Sequence, residues 1–208
     1  MKTIVTKDDI SLAAEIIKKG GLVAVPTETV YGLSANGFNA EAVEKIYEVK
    51  NRPETKPINL LVTGMEDAEK VCEDIPESAY ILAQAFWPGP MTMILKKRDS
   101  VPSIVSAGLD TLGVRAPKND LTLALIRKSG VPLATPSANI SGMESGKNLD
   151  EVLGYFDGKI ECVIDGGQCT SGVASTIIDL TGPVPKILRL GELTPEIIRD
   201  RTKIEVKL

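Results

Sequence analysis

Apolar residues at Ile10, Ala13, Ala14 and Ile17 recur at the spacing of one helix face, and Gly20-Gly21 ends the run. Thr6 followed by Asp9 matches a capping box at its start, with Asp in place of Glu. The apolar run "LVAVP" then predicts a buried strand, residues 40 to 49 an amphipathic helix, and "INLLVT" (58 to 63) a second buried strand. Helices follow over 66 to 73 and 76 to 86, before the stiff turn "WPGP". Beyond it the pattern is strand-rich: "MTMILKK", "TLGVRAP", "VPLAT", "ECVID", "ASTIIDL" and "KILRL", with helices near 119 to 129 and 149 to 156. A short helix "PEIIRD" and a terminal strand close the sequence. Strands and helices mixed at irregular intervals predict an α/β fold with a mixed parallel and antiparallel sheet, not a regular βαβ repeat. With no internal repeat and no linker, residues 1 to 208 read as one domain.

Composition narrows the chemistry. The 208 residues include no histidine, which removes Ser/His/Asp and Cys/His triads and His-ligated metal centres. Cys72, Cys162 and Cys169 are odd in number and lack CxxC spacing, so reduced thiols are expected and no metal site. "MKTIVTKDDI" has no apolar leader core, and no apolar run approaches the roughly 18 residues of a membrane span. A cytoplasmic protein is expected. A net charge of −4 argues against a surface that attracts nucleic acid everywhere, but leaves room for a local basic cleft.

Familiar nucleotide motifs are missing. "GMESGKN" (142 to 148) has three residues between its glycines where a P-loop needs four, and no GxGxxG follows a strand. Other stretches carry more. In "YEVKNRPETKP" the proline pushes Arg52 into an extended conformation, and in an extended segment Lys50 and Arg52 would project together. Such a pair suits a multiply charged anion, or it simply complements a helix C-terminus. In "TPSANIS", Ser137 and Asn139 would share a side if the chain stays extended, positioning a ligand or closing a turn. Arg115 and Arg189 interrupt apolar strands, where a charge needs a partner: a ligand or one of the 28 acidic residues. "DGGQCTSGVAST" (165 to 176) is either a phosphate cradle or a plain loop. "VPTETVYGLSAN" (25 to 36) follows a strand with polar residues, a common ligand position in α/β sheets.

Taken in order, "PTETVYGL", "KNRP", "FWPGP", "GVRAP", "PSAN", "IDGG", "STIIDLT" and "ILRLG" resemble the YrdC-type threonylcarbamoyl-AMP synthases, from about residue 10 to residue 195. The resemblance implies a twisted mixed sheet around a positively charged cavity. It also implies that L-threonine, bicarbonate or carbon dioxide, and ATP with Mg²⁺ yield threonylcarbamoyl-AMP and pyrophosphate. That product is the activated intermediate for threonylcarbamoyladenosine in tRNA, handed on to downstream transfer proteins. By the same resemblance Lys50, Arg52, Ser137 and Asn139 form one site holding the triphosphate, with Lys50 and Arg52 as the catalytic pair. Thr27, Thr29, Arg115, Thr135 and Ser175 form the threonine-binding set, Ser175 and Arg189 match positions that contact ligand chiefly on the nucleotide side, and Lys56, Thr111 and Ser145 follow as weaker members of the nucleotide site.

Three departures stand out. Where many longer members read "PLIVH", this sequence has Leu61 at the histidine; where many read "GVEST", it has Ala174 in place of Glu. The sequence also stops near residue 208, which implies the short form without the additional C-terminal domain. The competing expectation is a module whose positive cavity binds tRNA or double-stranded RNA, against which the 4% aromatic content counts. A third is transfer of a carbamoyl group from another donor.

Overall fold

The computed structural model describes residues 2–208. The described residues form eleven strands and seven helices in the order β1 (Ile4–Thr6), α1 (Ile10–Lys18), β2 (Val23–Val25), β3 (Gly32–Asn36), α2 (Ala40–Lys50), β4 (Leu60–Leu61), α3 (Met65–Val71), β5 (Cys72–Glu73), α4 (Glu77–Phe86), β6 (Met91–Lys97), β7 (Thr111–Arg115), α5 (Asp120–Ser129), β8 (Leu133–Ala134), α6 (Leu149–Phe156), β9 (Cys162–Ile164), β10 (Thr176–Asp179), β11 (Lys186–Arg189) and α7 (Pro195–Thr202). The strands build one sheet in the order β1-β9-β2-β3-β8-β4-β7-β6-β10-β11, with β5 beside β6. β9 runs parallel to β1 and β2, β4 to β7, and β6 to β10, while the remaining pairs are antiparallel. The mixed sheet is the one the irregular pattern predicts.

Side-chain caps set where helices begin. Asn39, Asn119, Asn148 and Thr194 each accept a backbone N–H from the first turn of α2, α5, α6 and α7, a contact worth about 1 kcal/mol. At α1 the cap is Asp9, which accepts from Leu12, and Thr6 Oγ1 accepts the N–H of Asp9 one step earlier. The expected cap at Thr6 therefore moves three residues on, because Thr6 is still paired in β1.

Alternation along the strands divides the sheet into two faces. Leu33 and Ala35 of β3, Met91, Met93 and Leu95 of β6, and Leu112 and Val114 of β7 enter the larger core with α2, α4 and α6. Val23 and Val25 pack with Ala13, Ala14 and Ile17 of α1 and Leu125 and Ile126 of α5 in a second cluster. The residues between the core positions, Ser34, Thr92, Gly113 and Arg115, turn the other way and give one face of the sheet a polar floor.

Several elements differ from expectation. β3 lies inside the stretch read as a polar loop, because Gly32–Asn36 are small and their alternation is muted. The strand expected over 58 to 63 shrinks to Leu60–Leu61, and the terminal strand to a single bridge between Lys186 and Lys207. All three cysteines are free and buried. Burial pushes the Cys72 thiol up to about 12 and Cys162 to about 11, and raises Cys169 as well. Among the described residues no helix is long and apolar enough to cross a membrane.

Candidate active site

The polar floor opens into a cavity of about 190 Å³. Three guanidinium groups line it (Arg52, Arg115 and Arg189), with the hydroxyls of Thr29, Thr92, Thr135, Ser137, Ser145 and Ser175. Asn59, Leu61 and Ala174 complete much of the wall, and among the described residues no Asp or Glu lines it. Residues far apart in the sequence thus meet at one cleft with three guanidinium groups and no carboxylate among the described lining residues.

Arg115 closes the threonine-loop side. Its Nε donates to Gly89 O at 3.1 Å and its Nη1 to Thr29 Oγ1 at 3.0 Å. Nη2 lies 2.7 Å from Glu28 Oε2 with both side chains about nine-tenths buried, though it is not aligned for a hydrogen bond. Glu28 Oε2 also accepts the Lys118 N–H at 3.1 Å, while Glu28 Oε1 is buried with no partner among the described residues. Arg115 is therefore an ion-paired arginine at the edge of the cavity, the structural alternative that its sequence position left open. Thr27 sits behind Thr29: its hydroxyl donates to Val30 O at 2.6 Å and receives the N–H groups of Thr29 and Val30, which stitches the loop into a tight turn and turns Thr27 away from the cleft. Thr135, opposite, exchanges a 2.8 Å hydrogen bond with Ser34.

The Lys50 and Arg52 side chains do not project together. α2 runs through Lys50 and ends with Asn51 in the left-handed region at φ 49°. The Asn51 N–H bonds Glu48 O and the Arg52 N–H bonds Tyr47 O, the two reversed bonds of a Schellman end. That turn sends Arg52 into the cavity wall, its guanidinium held by Lys56 O and Pro57 O. Lys50 instead goes inward, 1% exposed, and donates to Ser137 O and Asn139 O at 2.5 Å each. The Ser141 N–H returns a bond to Lys50 O. Lys50 thus ties the end of α2 to the Ser137–Ser141 loop from beneath, where the extended reading placed it in the site. Ser137 and Asn139 do share a side, with the Ser137 hydroxyl donating to Asn139 Oδ1 at 2.6 Å, but the Asn139 amide is spent on Ile140 O and Met143 O.

Burial, then the charge of Arg52, push the Lys50 ammonium down to about 7. The unfolded lysine titrates near 10.4, so between the two values folding must release a proton. The cost of keeping Lys50 protonated in the fold is therefore borne in full below pH 7, beside what its two carbonyl bonds contribute, and that cost fades as pH rises toward 10. Melting curves should show the unaltered protein gaining stability relative to Lys50→Met between pH 7 and 10; a pH-independent difference would contradict this.

Arg189 lies over Ser175, its Nε and Nη2 donating to Ser175 O at 3.1 and 2.8 Å and Nη2 to Ser175 Oγ at 3.1 Å. Ser175 Oγ is 2.8 Å from Thr92 Oγ1. Burial of the guanidinium end and the nearby Arg115 both lower the Arg189 pKa. This corner depends on Gly191, where an added Cβ would lie 2.3 Å from Ala174 O and 2.5 Å from Thr176 N. Both are backbone atoms, so Gly191→Ala should cost about 2 kcal/mol or more in urea unfolding; an unchanged midpoint would count against this packing.

Lys56 and Thr111 lie outside the cavity. Lys56 is an exposed loop residue whose carbonyl receives Arg52, and Thr111 opens β7, four residues from Arg115 and beside Lys96 of β6. Glu28, Thr92 and Asn59 are the site residues that sequence reasoning passed over. Glu28 was visible in "PTETVYGL", but its partner stands 87 residues away.

Comparison with known proteins gives this geometry a setting. The sequence profile of the Sua5/YciO/YrdC family, described as "Telomere recombination", matches residues 15–191. A Pyrococcus abyssi threonylcarbamoyl-AMP synthase is 48% identical over 91% of the chain and 56% of its own length, and a Bacillus subtilis threonylcarbamoyl-AMP synthase is 43% identical over 91% and 55%. The crystal structure of P. abyssi Sua5 complexed with L-threonine superposes with a TM-score of 0.95 at 43% identity, covering the whole chain and 63% of that structure. The chain thus spans little more than half the length of these relatives. On profile, identity and fold together, it belongs to the Sua5/YciO/YrdC family.

Proposed function

We propose that the chain is an L-threonylcarbamoyl-AMP synthase. It works in the cytoplasm, joining L-threonine, bicarbonate or carbon dioxide, and ATP to give threonylcarbamoyl-AMP and pyrophosphate, with a water molecule released when bicarbonate supplies the carbon. The product serves threonylcarbamoyladenosine formation on tRNA through downstream transfer proteins. One observation carries the reading: a carboxylate-free cavity holds three guanidinium groups, and Arg52 and Arg189 have no carboxylate within ion-pair distance among the described residues.

In the proposed reaction a threonylcarbamate oxygen attacks the α-phosphorus of ATP, and the bond to the β-phosphate breaks with its electron pair leaving on pyrophosphate. Two anions must meet, so positioning and charge neutralisation dominate. Arg52 and Arg189 offer planar donor forks to phosphate oxygens, and Ser137 and Ser145 offer hydroxyls beside them. Lys50 and Asn139 act from behind by fixing the Ser137 loop. Arg115, with Thr29 and Thr135, faces the amino-acid carboxylate, Glu28 holding its guanidinium in place. Mg²⁺ fits as part of the nucleotide: the lining has no carboxylate for it, and among the described residues no three His, Cys, Asp or Glu cluster. Carried in with the triphosphate, it would lower the charge that Arg52 and Arg189 must offset.

An RNA-binding module is not favoured. A net charge of −4 argues against a surface that attracts nucleic acid broadly, and aromatic residues for base stacking make up only 4% of the sequence. Pyrophosphate release from MgATP, assayed with and without L-threonine and bicarbonate, tests the synthase reading. Release is expected only when both are present; release independent of threonine, or none from folded protein, would overturn it.

A further inference from the structure

Among the described residues, Asn59 is the one side-chain amide on the cavity wall. It precedes β4 and alternates with Leu61, so both turn toward the cleft while Leu60 enters the core. Its backbone is fixed, because Asn59 O accepts the Thr135 N–H at 2.8 Å. The register that sets Leu60 against Val114 and Leu61 against Arg115 brings it alongside Gly113. There the carboxamide occupies the space of a missing side chain: a Cβ at position 113 would lie 2.1 Å from Asn59 Oδ1 and 2.9 Å from Asn59 Cγ. Gly113 is not among the positive-φ glycines, so its backbone does not require glycine; the carboxamide's room does.

The polar groups beside Asn59 find their protein partners elsewhere. Arg115 bonds Gly89 and Thr29 and pairs with Glu28, and Thr135 bonds Ser34 and Leu133 O, so neither is tied to the Asn59 amide. The Asn59 carboxamide is half-buried, and no described residue hydrogen-bonds it. It therefore presents one donor group and one acceptor to whatever enters, with the apolar Leu61 next along the same face. A carboxylate needs donors only, which the arginines supply. An alcohol both donates and accepts, and a carboxamide answers both.

Resting on the synthase reading, we infer that Asn59 reads the side-chain hydroxyl of the amino-acid substrate and that Leu61 packs against its methyl group. The pair then selects a β-hydroxy, β-methyl amino acid: L-valine fails for want of the hydroxyl and L-serine for want of the methyl. Carbamate formation uses the amino group, so neither analogue is excluded by the chemistry itself.

The test compares kcat/KM for pyrophosphate release with L-threonine, L-valine and L-serine in the unaltered protein and in Asn59→Leu, Gly113→Ala and Leu61→Ala. The unaltered protein should prefer threonine over valine by about a hundredfold and over serine by about tenfold. Asn59→Leu should lower the threonine-to-valine ratio at least about tenfold, with the ATP KM within about twofold. Gly113→Ala, by displacing the carboxamide, should shift the ratio the same way, whereas Leu61→Ala should erode only the threonine-to-serine ratio. An unaltered protein that uses valine as readily as threonine overturns the inference without any variant. So does a folded Asn59→Leu protein, or Asn59→Ala if the leucine variant does not fold, with an unchanged ratio. Absence of threonine-dependent release in the unaltered protein is a separate result, which removes the synthase reading and this inference with it.

Discussion

Arg52→Ala is expected to lower threonine- and bicarbonate-dependent pyrophosphate release about a hundredfold or more, roughly 2.7 kcal/mol of transition-state stabilisation. Its melting temperature should move by no more than about 3 °C, since only two loop carbonyls lose a donor. Lys50→Met should match it in activity and differ in stability. The Lys50 ammonium is the donor for Ser137 O and Asn139 O in a site with 1% exposure. Leaving two carbonyls unsatisfied costs about 2–4 kcal/mol, or about 10 °C in a protein of this size. Activity assays and melting curves on the two variants separate a group that faces the ligand from one that holds the loop. Near-normal turnover in Arg52→Ala would remove the phosphate assignment, and an unchanged melting temperature in Lys50→Met would remove the tie.

The second large effect belongs to the Glu28–Arg115 pair. Both side chains are about nine-tenths buried, so removing one partner leaves a charge in a low-dielectric wall. Glu28→Ala should destabilise the protein by about 3 kcal/mol, a fall of roughly 10 °C. Arg115→Lys keeps the charge but has no fork to span Gly89, Thr29 and Glu28 at once. It should raise the apparent threonine constant about tenfold or more while the ATP constant stays within about twofold. Equal effects on both substrates would sink the carboxylate role, and an unshifted melt in Glu28→Ala would show that the pair is not a strut.

Much of the fold is legible in the sequence because period-2 and period-3.6 apolar patterns report which face of each element is buried. The runs around Val23, Met93 and Val114, and the helix of Ala13, Ala14 and Ile17, declare themselves in this way. β3 does not, since Ser34 and Ala35 differ too little in polarity for alternation to register. The site is legible as a set of motifs more than as a geometry. Nothing local reveals that Asn51 adopts a left-handed turn, and that single torsion decides that Lys50 goes inward while Arg52 reaches the cleft. The Glu28–Arg115 pair and the fit of Asn59 over Gly113 depend on contacts across the sheet, which no window of sequence contains. Thr111 and Lys56 carry plausible chemistry in the sequence but lie beyond the cavity wall.

The three buried thiols turn the protein into its own reporter of opening. A thiolate reacts with alkylating reagents and a buried thiol does not, so Cys72 and Cys162, raised to about 12 and 11, should stay unlabelled until their surroundings come apart. Cys72 lies in β5 against β6, and Cys162 in β9 between β1 and β2, near opposite ends of the sheet. Mass-resolved labelling at each position would time the separation of the two ends independently. Equal rates would mean that the sheet opens as one cooperative unit, and unequal rates would identify the end that frays first.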